Sequence, residues 1–150
     1  MGRRKILFRG QTRRYGEKVR MGDGFKLPSN WVYGGVLQGL GGHSIIYGGE
    51  NQNNPGKDLD KHIVYTDTLG QFTGVTDNVG VNIFEDDILE YVNDDGTKAH
   101  YVVEMDVDEG AWIAKWIEGD GFFSAKAFSL LTRVVGNIHD KPELMEVSGE

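Results

Sequence analysis

The chain has 150 residues, 39% of them hydrophobic and 26% charged, with a net charge of −7 and no cysteine. That length buries a real core without covalent staples and fits one domain, or one barrel carrying an elaborated N-terminal part. The lack of cysteine excludes a disulfide framework and a thiolate metal site, and no window approaches the apolar length of a membrane span.

Near the start, the apolar run Ile6 to Phe8 is too short for the core of a secretion signal, so the expected location is the cytoplasm. Glycine is abundant at 22 residues against 3 prolines, and helical periodicity is never sustained, which predicts many tight turns between short strands. Lys5 to Arg9 reads as a first strand ended by Gly10, with Ile6 and Phe8 on one face. Residues 10–30 form a polar, basic excursion rich in turn signals. Trp31 to Tyr33 opens a strand that Gly34-Gly35 bends and Val36-Leu37 continues, and Ser44 to Tyr47 pairs back on it. Residues 48–60, GGENQNNPGKDLD, read as a surface loop or disordered connection, and His62 to Tyr65 as a further short strand.

Leu69 to Val92 is the stretch around which the rest is organised. Gln71 to Val75 and Val81 to Phe84 are β-prone runs on either side of Thr76-Asp77-Asn78-Val79-Gly80, which predicts a hairpin. Glu85-Asp86-Asp87 then turns a corner into a strand over Ile88 to Val92. Asn93-Asp94-Asp95-Gly96 predicts a type I′-like turn into a strand over Ala99 to Met105. Ala111 to Ile117 alternates, placing Trp112, Ala114 and Trp116 on one face and Ile113 and Ile117 on the other. Phe122-Phe123 opens another strand, Ser124 to Leu131 fits a helical turn or a strand with a short helix favoured, Arg133 to Ile138 is the last strand, and Pro142 starts a final helical turn.

In order and combination, several blocks resemble the YopX protein family, a group found mainly in phages and integrated phage elements of bacteria. They are Lys5-Ile6-Leu7-Phe8-Arg9-Gly10, then Gly70-Gln71-Phe72-Thr73-Gly74 running through Asp77, Gly80, Ile83 and Glu85-Asp86-Asp87-Ile88, and finally Val134-Val135-Gly136-Asn137-Ile138-His139 with Pro142-Glu143-Leu144-Met145. Trp31-Val32-Tyr33-Gly34 is also similar to the family's first region. Two departures stand out: Asp86 occupies the place where the family usually has the glycine of an E-G-D triplet, and residues 16–30 read as an insertion. The resemblance implies a mainly β fold in a single YopX-like domain over residues 1–150. Within it, an N-terminal β region over 1–68 precedes an SH3-like small barrel over 69–150, with one or two short helices. It implies no established activity, because the family lacks an accepted biochemical function and a recognised catalytic motif.

The residue chemistry offers no catalytic constellation. Glu85, Asp86 and Asp87 could act as paired acids or hold a divalent cation, but a charged corner with one carboxylate capping backbone N–H groups is the favoured reading. His43, His62, His100 and His139 are scattered, without a pair at metal-ligand spacing, and neither a nucleophile elbow nor a phosphate loop is present. No catalytic residue, metal or cofactor is assigned, and a non-enzyme is expected. The aromatic residues Trp31, Tyr33, Trp112, Trp116, Phe122 and Phe123 would suit a base-stacking platform, although core and rim positions explain them more simply.

Charge is the one feature with a functional edge. Residues 1–20 carry +7, while the remaining 130 carry −14. Arg3, Arg4, Lys5, Arg9, Arg13 and Arg14, interleaved with Phe8 and Tyr15, are therefore the candidate phosphate contacts of a nucleic-acid-binding accessory protein. Ion pairing with the acidic body, or with a neighbouring subunit, competes with that reading and is favoured over it. The expected function is a non-catalytic, phage-derived binding or assembly module. It would form a homo-oligomer through exposed strand edges, with a phage or host protein as a further possible partner and no membrane contact.

Overall fold

The computed structural model describes residues 5–12, 20–21, 25–26, 31–39, 41–48 and 60–146. The chain divides into two compact units, Met1–Gln71 and Phe72–Glu150. Both are built of antiparallel strands, so the mainly β expectation holds. Among the described residues no helix is long and apolar enough to cross a membrane.

In the first unit, β1 (Phe8–Gln11) is followed by a small pair, β2 (Arg20–Met21) and β3 (Phe25–Lys26). Then come β4 (Trp31–Leu37), β5 (His43–Gly48) and β6 (Asp60–Tyr65), and the sheet runs in the order β6-β5-β4-β1. Val32, Ile46 and Val64 are buried at its centre, with Phe8, Val36 and Leu69 packed against them. The Thr68 hydroxyl accepts the Gln11 N–H at 2.9 Å and donates to the Tyr65 carbonyl at 2.6 Å, fastening the end of β1 to the turn after β6.

The first strand starts three residues later than expected and runs through Gly10, which pairs with Val32 instead of ending it. The reason is packing. A Cβ at Gly10 would lie 2.8 Å from Val64 Cγ2 and 3.2 Å from Leu69 Cδ2, so only a bare backbone passes beneath Val64. Gly10→Ala is expected to overpack this core at a cost of about 1–3 kcal/mol. A lowered urea midpoint with an unchanged slope would register it.

In the second unit, β7 (Gly70–Thr76) pairs its Phe72 and Thr76 with β8 (Asn82–Phe84). A meander follows: β9 (Asp87–Val92), β10 (Lys98–Asp106), β11 (Ala111–Trp116) and β12 (Phe122–Ser124). The expected short helix splits into α1 (Ala125–Phe128) and a 3-10 turn over Ser129–Leu131, after which β13 (Arg133–Asn137) returns to pair with β9. The order is β12-β11-β10-β9-β13. Among the described residues this sheet is open at β12 and β13, and no pairing closes it into a barrel.

Ile83, Leu89, Tyr101, Val103, Ala114 and Phe128 form the core of this unit, with Trp112 packed against it. Trp112 and Ala114 thus share the inner face as the alternation requires, although Trp116, next in phase, stays 37% exposed. The turn over residues 93–97 departs from type I′, which needs positive φ at both central residues. Only Gly96 has positive φ there, at 88°, and its N–H donates to the Asn93 carbonyl at 2.9 Å.

Candidate functional site

Of the candidate phosphate contacts, Arg3, Arg4, Arg13 and Arg14 lie outside the described residues, and Lys5 is exposed. Arg9 requires a correction. It is only 6% exposed, and its guanidinium carbon sits 4.6 Å from the centroid of the Trp31 ring. A guanidinium buried against an indole is part of the first unit's packing and does not face a phosphate backbone. The aromatic side chains considered from sequence are divided between the two units. Trp31 and Tyr33 belong to the first unit and the other four to the second, where Trp112 is core and Phe122 and Phe123 are exposed.

The acidic corner caps backbone, as favoured. Asp87 is buried and its Oδ2 accepts the Phe84 N–H at 2.7 Å. Asp86 has φ of 72°, the sole left-handed non-glycine among the described residues, which gives a physical reason for a glycine preference at this position. Its carboxylate lies 3.0 Å from His139 Nε2, a pairing across 53 positions that local sequence spacing cannot reveal. Asp77, in the preceding hairpin, is buried and binds the backbone N–H groups of Val79, Val81 and Val134. Burial pushes its carboxyl up, but those three donors, with Arg133 nearby, outweigh burial and hold it below the usual carboxylate range.

A row of alternating charge crosses one face of the five-stranded sheet. Register places Arg133 of β13 beside Glu90 of β9, and Glu90 beside His100 of β10. His100 Nε2 lies 3.1 Å from Glu90 Oε2, and its Nδ1 lies 2.7 Å from Glu118 Oε2. Glu118 Oε1 also accepts the His100 backbone N–H at 2.8 Å, while Lys98 Nζ approaches Glu90 at 3.7 Å. Burial pulls the imidazole pKa down, but the two carboxylates outweigh it and hold His100 above the ordinary value. Burial likewise raises Glu118, yet the backbone N–H and ring of His100 bring it below the usual range. Local spacing in the sequence gives His100 no partner. The usable signal was that Glu90 and His100 flank one hairpin turn at positions that share a sheet face once the register is known.

Beside this row, Asn78, Val79, Glu90, Val92, Leu131 and Arg133 line an open hollow of about 640 Å³. At the far edge of the sheet, all of β12 is exposed, with Phe122 at 61% and Phe123 at 50%. Phe123 keeps one ring face stacked on Phe128 at 4.7 Å. Among the described residues, no three His, Asp or Glu side chains converge as metal ligands would.

Comparison with known proteins adds the following. No curated protein matches the chain. The solved structure of protein EF1440 from Enterococcus faecalis is similar over 95% of this chain and 99% of its own, at 22% identity and a TM-score of 0.48. The model of the YopX protein family matches residues 28–146. The Trp31, Gly70–Ile88 and Val134–Met145 blocks fall inside that match, and Lys5–Gly10 falls outside it. With well over half of its length matched, the chain belongs to the YopX protein family.

Proposed function

We propose that this protein is a non-catalytic, phage-derived assembly module of the cytoplasm that binds a second copy of itself through the edge strand β12. The observation that carries this reading is β12 itself: among the described residues it pairs with β11 on one side only, and it presents Phe122 and Phe123 to solvent. An unpaired row of backbone N–H and C=O groups beside two exposed phenylalanines is a template for another strand. Two such edges meeting antiparallel satisfy one another across a two-fold axis. The charge of −14 beyond residue 20 against +7 before it makes two copies complementary as well. An SH3-like small barrel is part of the proposal. Its support is the order of the elements, a four-strand meander, then α1 and a 3-10 turn, then a fifth strand returning to the first.

Light scattering on the full chain tests the assembly. A mass above that of the monomer is expected, falling to monomer in Phe122→Lys, because an edge lysine blocks strand addition while leaving an exposed position otherwise undisturbed. A strictly monomeric wild type would remove the proposal. The second reading, nucleic-acid binding by Arg3, Arg4, Lys5, Arg13 and Arg14, draws on the +7 of residues 1–20. It requires affinity that falls steeply with salt and vanishes when that segment is deleted.

A further inference from the structure

The chain enters β12 through the segment 117–121, and His100 is the residue that fastens this segment to the sheet. Three bonds fold it: the Trp116 N–H donates to the Gly121 carbonyl at 3.0 Å, the Ile117 N–H to the His100 carbonyl at 2.9 Å, and the His100 N–H to Glu118 Oε1 at 2.8 Å. Gly119 presses against the Trp116 ring so closely that a Cβ there would lie 2.3 Å from it. The remaining tie is the His100 ring, with Nδ1 at 2.7 Å from Glu118 and Nε2 at 3.1 Å from Glu90.

The geometry of that ring specifies its proton count. Ionised carboxylates only accept, and a neutral imidazole has a single N–H, so both contacts are satisfied together only by the imidazolium. Once the proton leaves, one carboxylate faces a bare nitrogen lone pair. The other charged groups near the ring are Glu90 from β9, Glu118 from the turn, Lys98 on the same strand and Arg133 on β13 beyond Glu90. Burial first, and Glu118 beside it, push the Tyr101 phenol above its ordinary value, and Lys115 is turned to Glu104 at 4.0 Å. His100 is therefore the group of this cluster that changes charge near neutrality.

We propose that His100 is a proton-operated clasp on the 117–121 turn: protonated, it seats the turn and sets β12 for a second copy, and deprotonated, it releases Glu118 or Glu90 and loosens that edge. The link to a second copy rests on the reading of β12 given above, whereas the clasp itself does not. The carboxylates hold the imidazole above its ordinary value, so the clasp stays closed below the usual histidine range and opens as pH rises through the raised value.

The test is an NMR titration of the full chain from about pH 5 to about pH 9, following the His100 ring protons and the amides of residues 117–123. Light scattering is run on the same samples, for the wild type, Glu118→Gln and Glu90→Gln. A His100 midpoint above the free value of about 6.5 is expected, with the turn amides following it, and either carboxamide variant should lower that midpoint. A ring that titrates at or below the free value, or amides that ignore it, would overturn the clasp. An oligomer whose mass is constant across the range would overturn control of the edge. A wild type that is monomeric at every pH would overturn both that control and the self-association reading, while the ring and amide data still decide the clasp.

Discussion

Asp77→Ala is expected to cost about 2–4 kcal/mol, because one buried carboxylate satisfies three backbone donors at once. Oδ1 holds Val79 and Val81 of its own hairpin at 3.0 and 2.9 Å, and Oδ2 reaches Val134 at the start of β13 at 2.9 Å. The same turn is joined to the other side by the Asn78 N–H on the Thr132 carbonyl at 2.9 Å. Alanine strands all three donors and leaves the Asn78–Thr132 backbone bond to hold the hairpin to the returning strand. Asp77→Asn keeps an acceptor and should lose less. The pH dependence has a definite sign. The folded carboxyl lies below its unfolded value, so its contribution is present above the ordinary carboxylate range and is lost as pH falls through the lowered folded value. Urea unfolding of both variants at neutral and at acid pH checks this. An asparagine variant that keeps the full acid-side loss of the wild type would assign that loss to other groups.

Phe128→Ala is expected to cost about 3–5 kcal/mol in the second unit, in the usual range for removing a buried aromatic side chain. Phe128 is 8% exposed and touches three rings: Tyr101 at 4.8 Å, Tyr91 at 5.6 Å and Phe123 at 4.7 Å. The four-residue helix that carries it is too short to be stable alone, so packing by Phe128 and Ala125 is what keeps that turn in place. Loss of the ring also frees Phe123 from its stack, which ties the variant to the edge strand. Urea unfolding gives the stability, and near-ultraviolet circular dichroism of the folded variant should show a weakened aromatic signal. A change under about 1 kcal/mol would mean that the cluster collapses around the gap instead of leaving a cavity.

Much of the architecture was legible because short antiparallel strands announce themselves locally. The turn signal at Asn93–Gly96 and the alternation in Ala111–Ile117 located β10 and β11, and Trp31–Leu37 matched β4 end to end. Pro142 correctly marked the start of the last helical turn, over Pro142–Met145. Gly10 misled in the first strand for an instructive reason. A glycine that breaks a strand and one that lets a strand pass under a valine are identical in sequence, and only the position of Val64 separates them.

The amino-acid order by itself determined the mainly β class, the family blocks and the segregation of charge, since each depends on neighbours within a few residues or on counting. Tertiary structure alone decided which distant groups meet. It buried Arg9 against Trp31, drew Asp77 to Val134 and His139 to Asp86, and set Glu90 and Glu118 on opposite nitrogens of His100. Those contacts depend on strand register, and register is fixed by turn geometry and core packing summed over whole sheets, which no local stretch of residues contains.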